Sequence, residues 1–180
     1  MATILEAGRA SPPAGLLAAP RRVAFLIGLV AVATIGGALV FEHGLGLQPC
    51  KLCLQQRIPY YLAIPLAFGV AALARHRPLA RIGLVLLGLV FITSAGLGAY
   101  HAGVEWGWFA GPSDCAAAST PAAGSVGDFL RDLERTRVVS CTEAAWRFFG
   151  LSLAGWNVLI SLGLSGLAFA GGRAAGARSL

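Results

Sequence analysis

The chain has 180 residues and a formal net charge of +6, and 57% of its residues are hydrophobic while only 12% are charged. A soluble domain has about 25% charged residues, so this chain lacks the polar surface that a soluble globular protein needs. The composition excludes an ordinary soluble domain and indicates an integral membrane protein.

Four apolar stretches are each long enough to cross a bilayer, which takes about 20 apolar residues. None of them contains Asp, Glu, Lys or Arg. They predict an all-α integral membrane protein, a four-transmembrane-helix bundle that occupies residues 23–172. A flexible N-terminal tail at 1–22 and a C-terminal tail at 173–180 flank this bundle. The predicted spans cover about 23–41, 58–74, 82–100 and 151–170.

The distribution of basic residues predicts the orientation, because cytoplasmic loops of membrane proteins are enriched in Lys and Arg. With four spans, both termini share a side with the 75–81 connection, and that side carries eight arginines and one acid. The other side carries six basic and seven acidic residues. We therefore expect cytoplasmic termini and two outer loops. The isoelectric point of about 9.8 reflects this asymmetry and gives no reason to propose nucleic-acid binding.

The first outer loop holds a Cys-x-x-Cys motif where the second helix should begin. Pro49 directly precedes Cys50 and restricts the entry to this helix. At positions i and i+3 of a helix, Cys50 and Cys53 share one face, at a separation that suits a disulfide. A helix N-terminus also favours the thiolate. The motif therefore predicts a reactive cysteine pair.

Arg57 follows Cys53 by four residues, so it lies one helical turn deeper on the same face. Its guanidinium could stabilise a thiolate or donate a hydrogen bond to the carbonyl oxygen of a bound ligand. An arginine at a helix end can also extend to the lipid head groups. The spacing favours neither interpretation over the other.

The second outer loop spans about 101–150 and holds the other two cysteines, Cys115 and Cys141. Within it, the segment from Ser125 to Asp128 resembles a helix start. An apolar stripe with charged residues mostly opposite follows, which predicts a short amphipathic helix on the membrane surface. The stripe consists of Phe129, Leu130 and Leu133. A disulfide between the two flanking cysteines would close this loop.

Three interpretations of the four cysteines compete. Four thiolates can hold a structural zinc ion, but such sites usually pair two Cys-x-x-Cys units, and Cys115 and Cys141 form no such unit. Two structural disulfides are possible outside the cytoplasm, yet a Cys-x-x-Cys ring constrains the unfolded chain very little. A thiol–disulfide relay uses both the tight pair and the distant pair. The pattern therefore favours a redox enzyme without a metal site.

The motif Pro-Cys-x-Leu-Cys-x-x-x-Arg at 49–57, followed by a pair of loop cysteines within four spans, resembles the bacterial DsbB family of disulfide-bond oxidoreductases. Tyr-His-Ala-Gly-Val-Glu-Trp-Gly at 100–107 and Ser-Leu-Ala-Gly-Trp-Asn at 152–157 are similar to this family as well. The chain departs from the family pattern in its N-terminal tail, in Gln56 before the arginine, and in the segment between the loop cysteines.

The resemblance implies a quinone-dependent protein-disulfide oxidoreductase of a bacterial inner membrane, with both cysteine loops in the periplasm. A reduced thioredoxin-fold partner of the DsbA type would attack the Cys115–Cys141 disulfide and form a mixed disulfide at Cys115. Cys141 would pass the electrons to Cys50 and Cys53. Cys53 would then donate them to ubiquinone or menaquinone held near Arg57.

The resemblance also implies that a residue near the outer end of the third span approaches the quinone head group. His101 is the candidate, since an imidazole can donate a hydrogen bond or a proton to a quinone oxygen. The alternative is an interfacial histidine that is hydrated among the lipid head groups.

Two other functions stay open. A vitamin-K-epoxide-reductase-like enzyme is also a quinone-linked helical bundle, but its loop cysteines precede its helix-borne Cys-x-x-Cys, whereas here the motif comes first. A non-catalytic four-span membrane protein would use both cysteine pairs as structural disulfides. A quinone-dependent thiol oxidase activity distinguishes the enzyme from such a structural protein.

Overall fold

The structure is a computed structural model that describes residues 19–112, 125, 137–138, 141–144 and 146–177. Most of these residues form four long α-helices. The helices are α1 (Pro20–Leu39), α2 (Lys51–Ala72), α3 (Arg77–Glu105) and α4 (Leu153–Ala177). A five-residue π-helix, Val40–Gly44, continues α1 at its C-terminal end. The predicted helical character is therefore confirmed.

Within the described residues, three helical segments are long and apolar enough to cross a membrane. They are Pro20–Gly44, Arg77–Glu105 and Leu153–Gly176. The 22-residue helix α2 does not meet these criteria, because its first turns carry Gln55, Gln56 and Arg57, with Pro59 close behind. The four-span count stays a prediction, with α2 as the expected second span.

The helices pack around a shared apolar core, with α3 most extensively against α4 and with α2 between α1 and α3. The largest side chains of this core are Val23, Ile27, Tyr60, Leu84, Leu87 and Phe91. The close approach of α3 and α4 depends on a glycine, since a Cβ atom at Gly88 would lie 2.6 Å from the ring of Phe169. Ser165 of α4 also donates a hydrogen bond to the Gly88 carbonyl oxygen at 3.0 Å. Small residues and interhelical hydrogen bonds of this kind are typical of helix contacts in membranes.

The outward faces of the helices are apolar too. Phe25 of α1, Leu62 of α2, Leu89 of α3 and Leu159 of α4 are each at least half exposed. Soluble monomers rarely expose apolar surface on every helix, and a lipid environment accounts for it.

A short parallel strand pair joins the two outer loops, a feature that the sequence did not predict. β1 (Leu47–Gln48) precedes the Cys-x-x-Cys motif and pairs with β2 (Arg137–Val138). Because β2 lies shortly before Cys141 in the chain, this pairing brings the second loop to the start of α2. Two-residue strands carry no alternating pattern, so hydropathy does not reveal them.

A two-residue hairpin leads into α4. β3 (Arg147–Phe148) pairs antiparallel with β4 (Leu151–Ser152). The turn residues Phe149 and Gly150 have φ values of 51° and 80°, the left-handed region that two-residue hairpin turns require. The indole N–H of Trp156 donates to the Phe148 carbonyl oxygen at 3.0 Å, which ties this hairpin to the first turn of α4.

Parts of the predicted architecture lie outside the described residues. These are Cys115, the amphipathic stripe of Phe129, Leu130 and Leu133, and residues 1–18 and 178–180 of the two tails. The described helices start or end several residues away from the predicted spans: α2 begins at 51 and ends at 72, where the prediction was 58–74, and α4 covers 153–177, where the prediction was 151–170. In addition, α3 continues to Glu105, so His101 is part of a helix.

Candidate redox site

The Cys-x-x-Cys motif forms the N-terminus of α2. Cys50 is the N-cap residue, and its Sγ accepts a hydrogen bond from the backbone N–H of Cys53 at 3.4 Å. The Sγ atoms of Cys50 and Cys53 lie 3.2 Å apart, and both cysteines are free thiols. The helix start therefore holds two thiols in position for disulfide formation.

Hydrogen bonding favours the thiolate at Cys50. The contact with the Cys53 side chain contributes most to a pKa of Cys50 well below its ordinary value. Burial opposes this shift, while hydrogen bonds from His101 and from the Cys53 backbone add to it. A sulfur that accepts several hydrogen bonds at a helix N-terminus is stabilised as the anion. The reduced motif therefore consists of one thiolate, at Cys50, and one thiol.

Cys141 lies directly beside the motif. Its side chain is fully buried, and it is disulfide-bonded. The Sγ atoms of Cys50 and Cys141 and a ring nitrogen of His101 all lie within 4.8 Å of one another. Three donor atoms at these distances resemble part of a metal site, but a disulfide sulfur is not the thiolate that a zinc site uses. The structure thus brings together Cys50, Cys53 and Cys141, and Cys115 lies outside the described residues.

Arg57 points to a carboxylate. Its guanidinium forms an ion pair with Glu42 of the π-helix, at an Nη1–Oε2 distance of 2.5 Å. The side chains of Arg57 and Glu42 are 12% and 22% exposed. The sequence did not indicate this pair, because Glu42 belongs to another element and shares no helical spacing with Arg57. The ion pair holds the guanidinium inside the protein.

His101 is buried within the bundle, with 3% of its surface exposed. Its Nε2 lies 3.7 Å from the Sγ of Cys50 and 3.8 Å from Oε1 of Glu105. Its Nδ1 lies 2.6 Å from Nε2 of Gln56. This environment differs from the hydrated position among head groups that the sequence left open. It places the imidazole against the reactive sulfur.

A chain of hydrogen bonds extends from Gln56 into the bundle. Asn157 Nδ2 donates to Gln56 Oε1 at 2.6 Å, and the Tyr60 hydroxyl donates to Asn157 Oδ1 at 2.7 Å. Ser161 contacts Tyr60 at 3.1 Å and donates to Ser94 at 3.0 Å. Polar groups in an apolar interior have to be paired in this way. The sequence analysis did not identify Gln56, Tyr60 or Asn157 as site residues; a polar side chain inside an apolar span, such as Asn157, was the available signal.

A cavity of about 140 Å³ adjoins these residues. Its apolar wall comes from α1, from the segment before Cys50 and from the first turn of α4. Its charged, amide, imidazole, hydroxyl and thiol groups are Thr34, Glu42, Cys53, Gln56, Arg57, Tyr60, His101 and Asn157. An apolar cavity with a few convergent polar groups is typical of a small-molecule site. Of the site residues predicted from the sequence, Cys53, Arg57 and His101 line this cavity. Cys50 and Cys141 lie next to His101 and do not line it.

Comparisons with known proteins agree on one family. The model of the family "Disulfide bond formation protein DsbB" matches residues 20–171. Disulfide bond formation protein B of Polaromonas sp. (strain JS666 / ATCC BAA-500) is 32% identical over 158 residues, which cover 83% of this chain and 90% of that protein. Disulfide bond formation protein B 1 of Pseudomonas aeruginosa is 34% identical over 148 residues, 79% of this chain and 88% of that protein.

A relative from Xanthomonas euvesicatoria pv. vesicatoria (strain 85-10), also a disulfide bond formation protein B, is 31% identical over 154 residues, 80% of this chain and 86% of that protein. No solved structure gives a significant match. The family match covers the Cys-x-x-Cys helix start, both loop cysteines and all three segments able to cross a membrane, apart from the last residues of α4. On these grounds the chain belongs to the DsbB family, membrane proteins of disulfide bond formation.

Proposed function

We propose that this protein is a membrane disulfide oxidoreductase that reoxidises a periplasmic, DsbA-type thioredoxin-fold dithiol oxidase and passes the electrons to a membrane quinone. The observation that carries the proposal is the position of Cys141, whose Sγ lies within 4.8 Å of the Sγ of Cys50. Thiol–disulfide exchange requires a thiolate to attack a disulfide sulfur directly. Cys141 is therefore close enough to Cys50 for an exchange between them.

The relay consists of four exchanges. A thiolate of the reduced partner attacks Cys115 in the Cys115–Cys141 disulfide, forms a mixed disulfide and releases Cys141 as a thiolate. Cys141 attacks Cys50 in the Cys50–Cys53 disulfide and releases Cys53. The second thiolate of the partner then displaces Cys115, and the partner leaves oxidised. Cys115 finally attacks Cys141, which restores the loop disulfide and leaves Cys50 and Cys53 with two additional electrons.

The arrangement of the described cysteines corresponds to one state of this relay. Cys50 and Cys53 are free thiols, while Cys141 is disulfide-bonded. This combination is the state that the relay reaches when the partner has been oxidised and the electrons have arrived at the motif. The next step is their transfer out of the protein.

The cavity has the chemistry that a quinone head group needs. Most of its lining is apolar, which suits a flat ring and excludes water, and Arg57 offers N–H donors for a carbonyl oxygen. Cys53 lines the same cavity, so its sulfur is next to the space where ubiquinone or menaquinone would bind. A bound quinone supplies an acceptor for two electrons and two protons, the number that a dithiol releases when it forms a disulfide. His101 also lines this cavity and was the second candidate contact for the quinone.

We further propose that α2 is the second of four spans in a bacterial inner membrane, with cytoplasmic termini and periplasmic cysteine loops. Three of the arginines, Arg75, Arg77 and Arg81, lie at the connection between α2 and α3. This concentration of positive charge supports a cytoplasmic position for the connection. Disulfides persist in the periplasm and are rare in the cytosol, which supports the position of the cysteine loops.

The proposal is tested with protein that has been purified together with its lipids. Extraction and mass spectrometry identify the bound quinone, and the loss of free thiols from a reduced DsbA-type protein measures the oxidation. We expect the wild-type protein to oxidise this partner only when quinone is present. We expect Cys115→Ser to lose the reaction, although a small dithiol should still deliver electrons through its intact Cys50–Cys53 pair. If the wild-type protein shows no quinone-dependent oxidation of the partner, the result would favour a membrane protein with structural disulfides.

A further inference from the structure

Hydrogen bonds determine which nitrogen of the buried His101 ring carries the proton. Gln56 Nε2 lies 2.6 Å from His101 Nδ1 and 3.4 Å from the Leu52 carbonyl oxygen, and Gln56 Oε1 accepts from Asn157 Nδ2 at 2.6 Å. A rotated amide would place Oε1 against the Leu52 oxygen, and two acceptors would face each other. Since an amide nitrogen only donates, Nδ1 of His101 is an acceptor. The proton of the neutral ring is therefore on Nε2.

The Nε2 proton faces the sulfur of Cys50. The Nε2–Sγ distance of 3.7 Å is within hydrogen-bonding range for sulfur, and Glu105 Oε1 lies 3.8 Å from the same nitrogen. An imidazolium would need an acceptor at Nδ1, where Gln56 presents a donor. His101 therefore acts here as an N–H donor, and the Cys50 sulfur is the acceptor within hydrogen-bonding distance.

The groups around the Cys50 sulfur come from three parts of the chain. Cys53 belongs to α2, His101 and Glu105 belong to α3, and Cys141 follows β2 and is disulfide-bonded. Among the described residues, Oε2 of Glu105 is buried without a hydrogen-bond partner. When Cys50 becomes a thiolate, the sulfur is the nearer acceptor.

We propose that His101, oriented by Gln56, donates the hydrogen bond that stabilises Cys50 as the leaving thiolate in the exchange between the two cysteine pairs. This inference rests on the proposed relay and gives His101 a role in the sulfur chemistry. His101 is a catalytic residue in this sense, because it touches a reacting sulfur. Gln56 is a positioning residue that acts through the imidazole.

The step that His101 serves is the last exchange of the relay. The thiolate of Cys115 attacks Cys141 in the Cys50–Cys141 disulfide, so the Cys115–Cys141 bond forms and the bond to Cys50 breaks. The electron pair leaves on Cys50 Sγ, where the Nε2–H of His101 donates. Thiol–disulfide exchange is faster when the leaving thiol has a lower pKa. The hydrogen bond therefore speeds the arrival of electrons at the motif.

The test measures the Cys50 thiolate without quinone or partner. The full-length chain carrying Cys115→Ser and Cys141→Ser is purified, freed of quinone and reduced. Cys50 and Cys53 are then the only thiols in the chain. Ultraviolet thiolate absorbance is then followed as a function of pH in this background and with His101→Phe, Gln56→Leu or His76→Phe added. His76 is an exposed histidine at the opposite end of α3 and is the matched control.

Loss of a hydrogen bond to a charged group corresponds to about one to two pKa units. We therefore expect His101→Phe to raise the pKa of Cys50 by about that much, Gln56→Leu to raise it by less, and His76→Phe to leave it unchanged. In the otherwise wild-type chain, His101→Phe should slow electron transfer from the loop pair to the motif.

An unchanged thiolate titration in both His101→Phe and Gln56→Leu would overturn the inference. If the titration is unchanged and the KM for quinone rises in His101→Phe, His101 is a quinone ligand. Gln56→Leu preserves side-chain volume and keeps the test decisive if His101→Phe does not fold. Since the titration requires no quinone, it can succeed or fail independently of the proposed function.

Discussion

Arg57 and Glu42 form an ion pair that joins α2 to the π-helix at the end of α1, and both side chains line the cavity that Cys53 also lines. The pair holds the guanidinium in a largely buried position. A guanidinium has five N–H donors in a planar fork. Arg57 can therefore retain Glu42 with one edge and donate to a ligand oxygen with another.

We predict that Arg57→Gln raises the apparent KM for quinone about ten- to hundredfold, because a hydrogen bond from a charged group contributes about 1.5–3 kcal/mol. Arg57→Lys should restore little of the lost quinone affinity, since an ammonium lacks the planar fork of donors. The measurement is the quinone dependence of partner oxidation, with protein amount and the loop disulfide checked in each variant.

Glu42→Gln is the matched control for the ion pair, because it removes the carboxylate charge and retains the guanidinium. It should raise the KM for quinone less than Arg57→Gln does. Full function of Arg57→Lys would instead indicate that Arg57 anchors the helix among head groups. Wild-type kinetics in both Arg57 variants would place the quinone elsewhere.

The reduction potential of the Cys50–Cys53 pair should change only weakly with pH near neutrality. The pKa of Cys50 lies well below its ordinary value, chiefly because of the hydrogen bond with Cys53. Two-electron reduction then takes up one proton, so each unit of rising pH should lower the potential by about 30 mV and not by about 60 mV. The thiolate's stabilisation of the reduced form is lost as the pH falls through the pKa of Cys50. Equilibration with glutathione at several pH values measures the slope, and about 60 mV per pH unit would show that both thiols are protonated.

Membrane topology gives a further prediction. Alkaline phosphatase fused after Gly124 should be active, and the same enzyme fused after His76 should be inactive, because basic residues concentrate on the side of the α2–α3 connection. The reverse pattern would place the cysteines in a reducing cytosol and would contradict the proposed function along with the orientation.

Packing between α3 and α4 can be tested at Gly88. A Cβ atom there would lie 2.6 Å from the Phe169 ring, so Gly88→Ala should destabilise the protein by about 1–3 kcal/mol through overpacking. Gly96 is the matched control on the same helix, because a Cβ atom there meets nothing within 4 Å. Thermal unfolding in detergent should show a lower midpoint for Gly88→Ala and no loss for Gly96→Ala. Equal midpoints would mean that the helices can shift apart at this contact.

The start of α2 could be predicted because its signals are local. Pro49 restricts the backbone before the helix. The spacing of Cys50, Cys53 and Arg57 fits one helical face, and this holds independently of the contacts that the helix makes with the rest of the protein. Hydropathy nevertheless placed the second span at about 58, whereas the helix begins at Lys51. A hydropathy window detects the apolar part of a helix and not its polar, capped end.

Contacts between elements could not be predicted in the same way. His101 meets Gln56, and Arg57 meets Glu42, because of the rotation and depth of each helix in the bundle. Helices that are apolar on all sides have no periodic pattern that would indicate their rotation. Gln56 was therefore visible in the sequence only as a departure from the family pattern, although its amide sets the tautomer of the histidine.

The burial of the central sulfur atoms has a consequence for substrate selection. Cys50 is 1% exposed and Cys141 is 0% exposed. Soluble thiols of low molecular weight cannot collide with either sulfur, so within the motif only the half-buried Cys53 is left for them to attack. In the proposed relay, reducing equivalents enter only through a protein that docks at Cys115. The fold would thus restrict the access of free thiols to the electron path that leads to the quinone pool, so that most of the electrons entering respiration here would come from the docked protein.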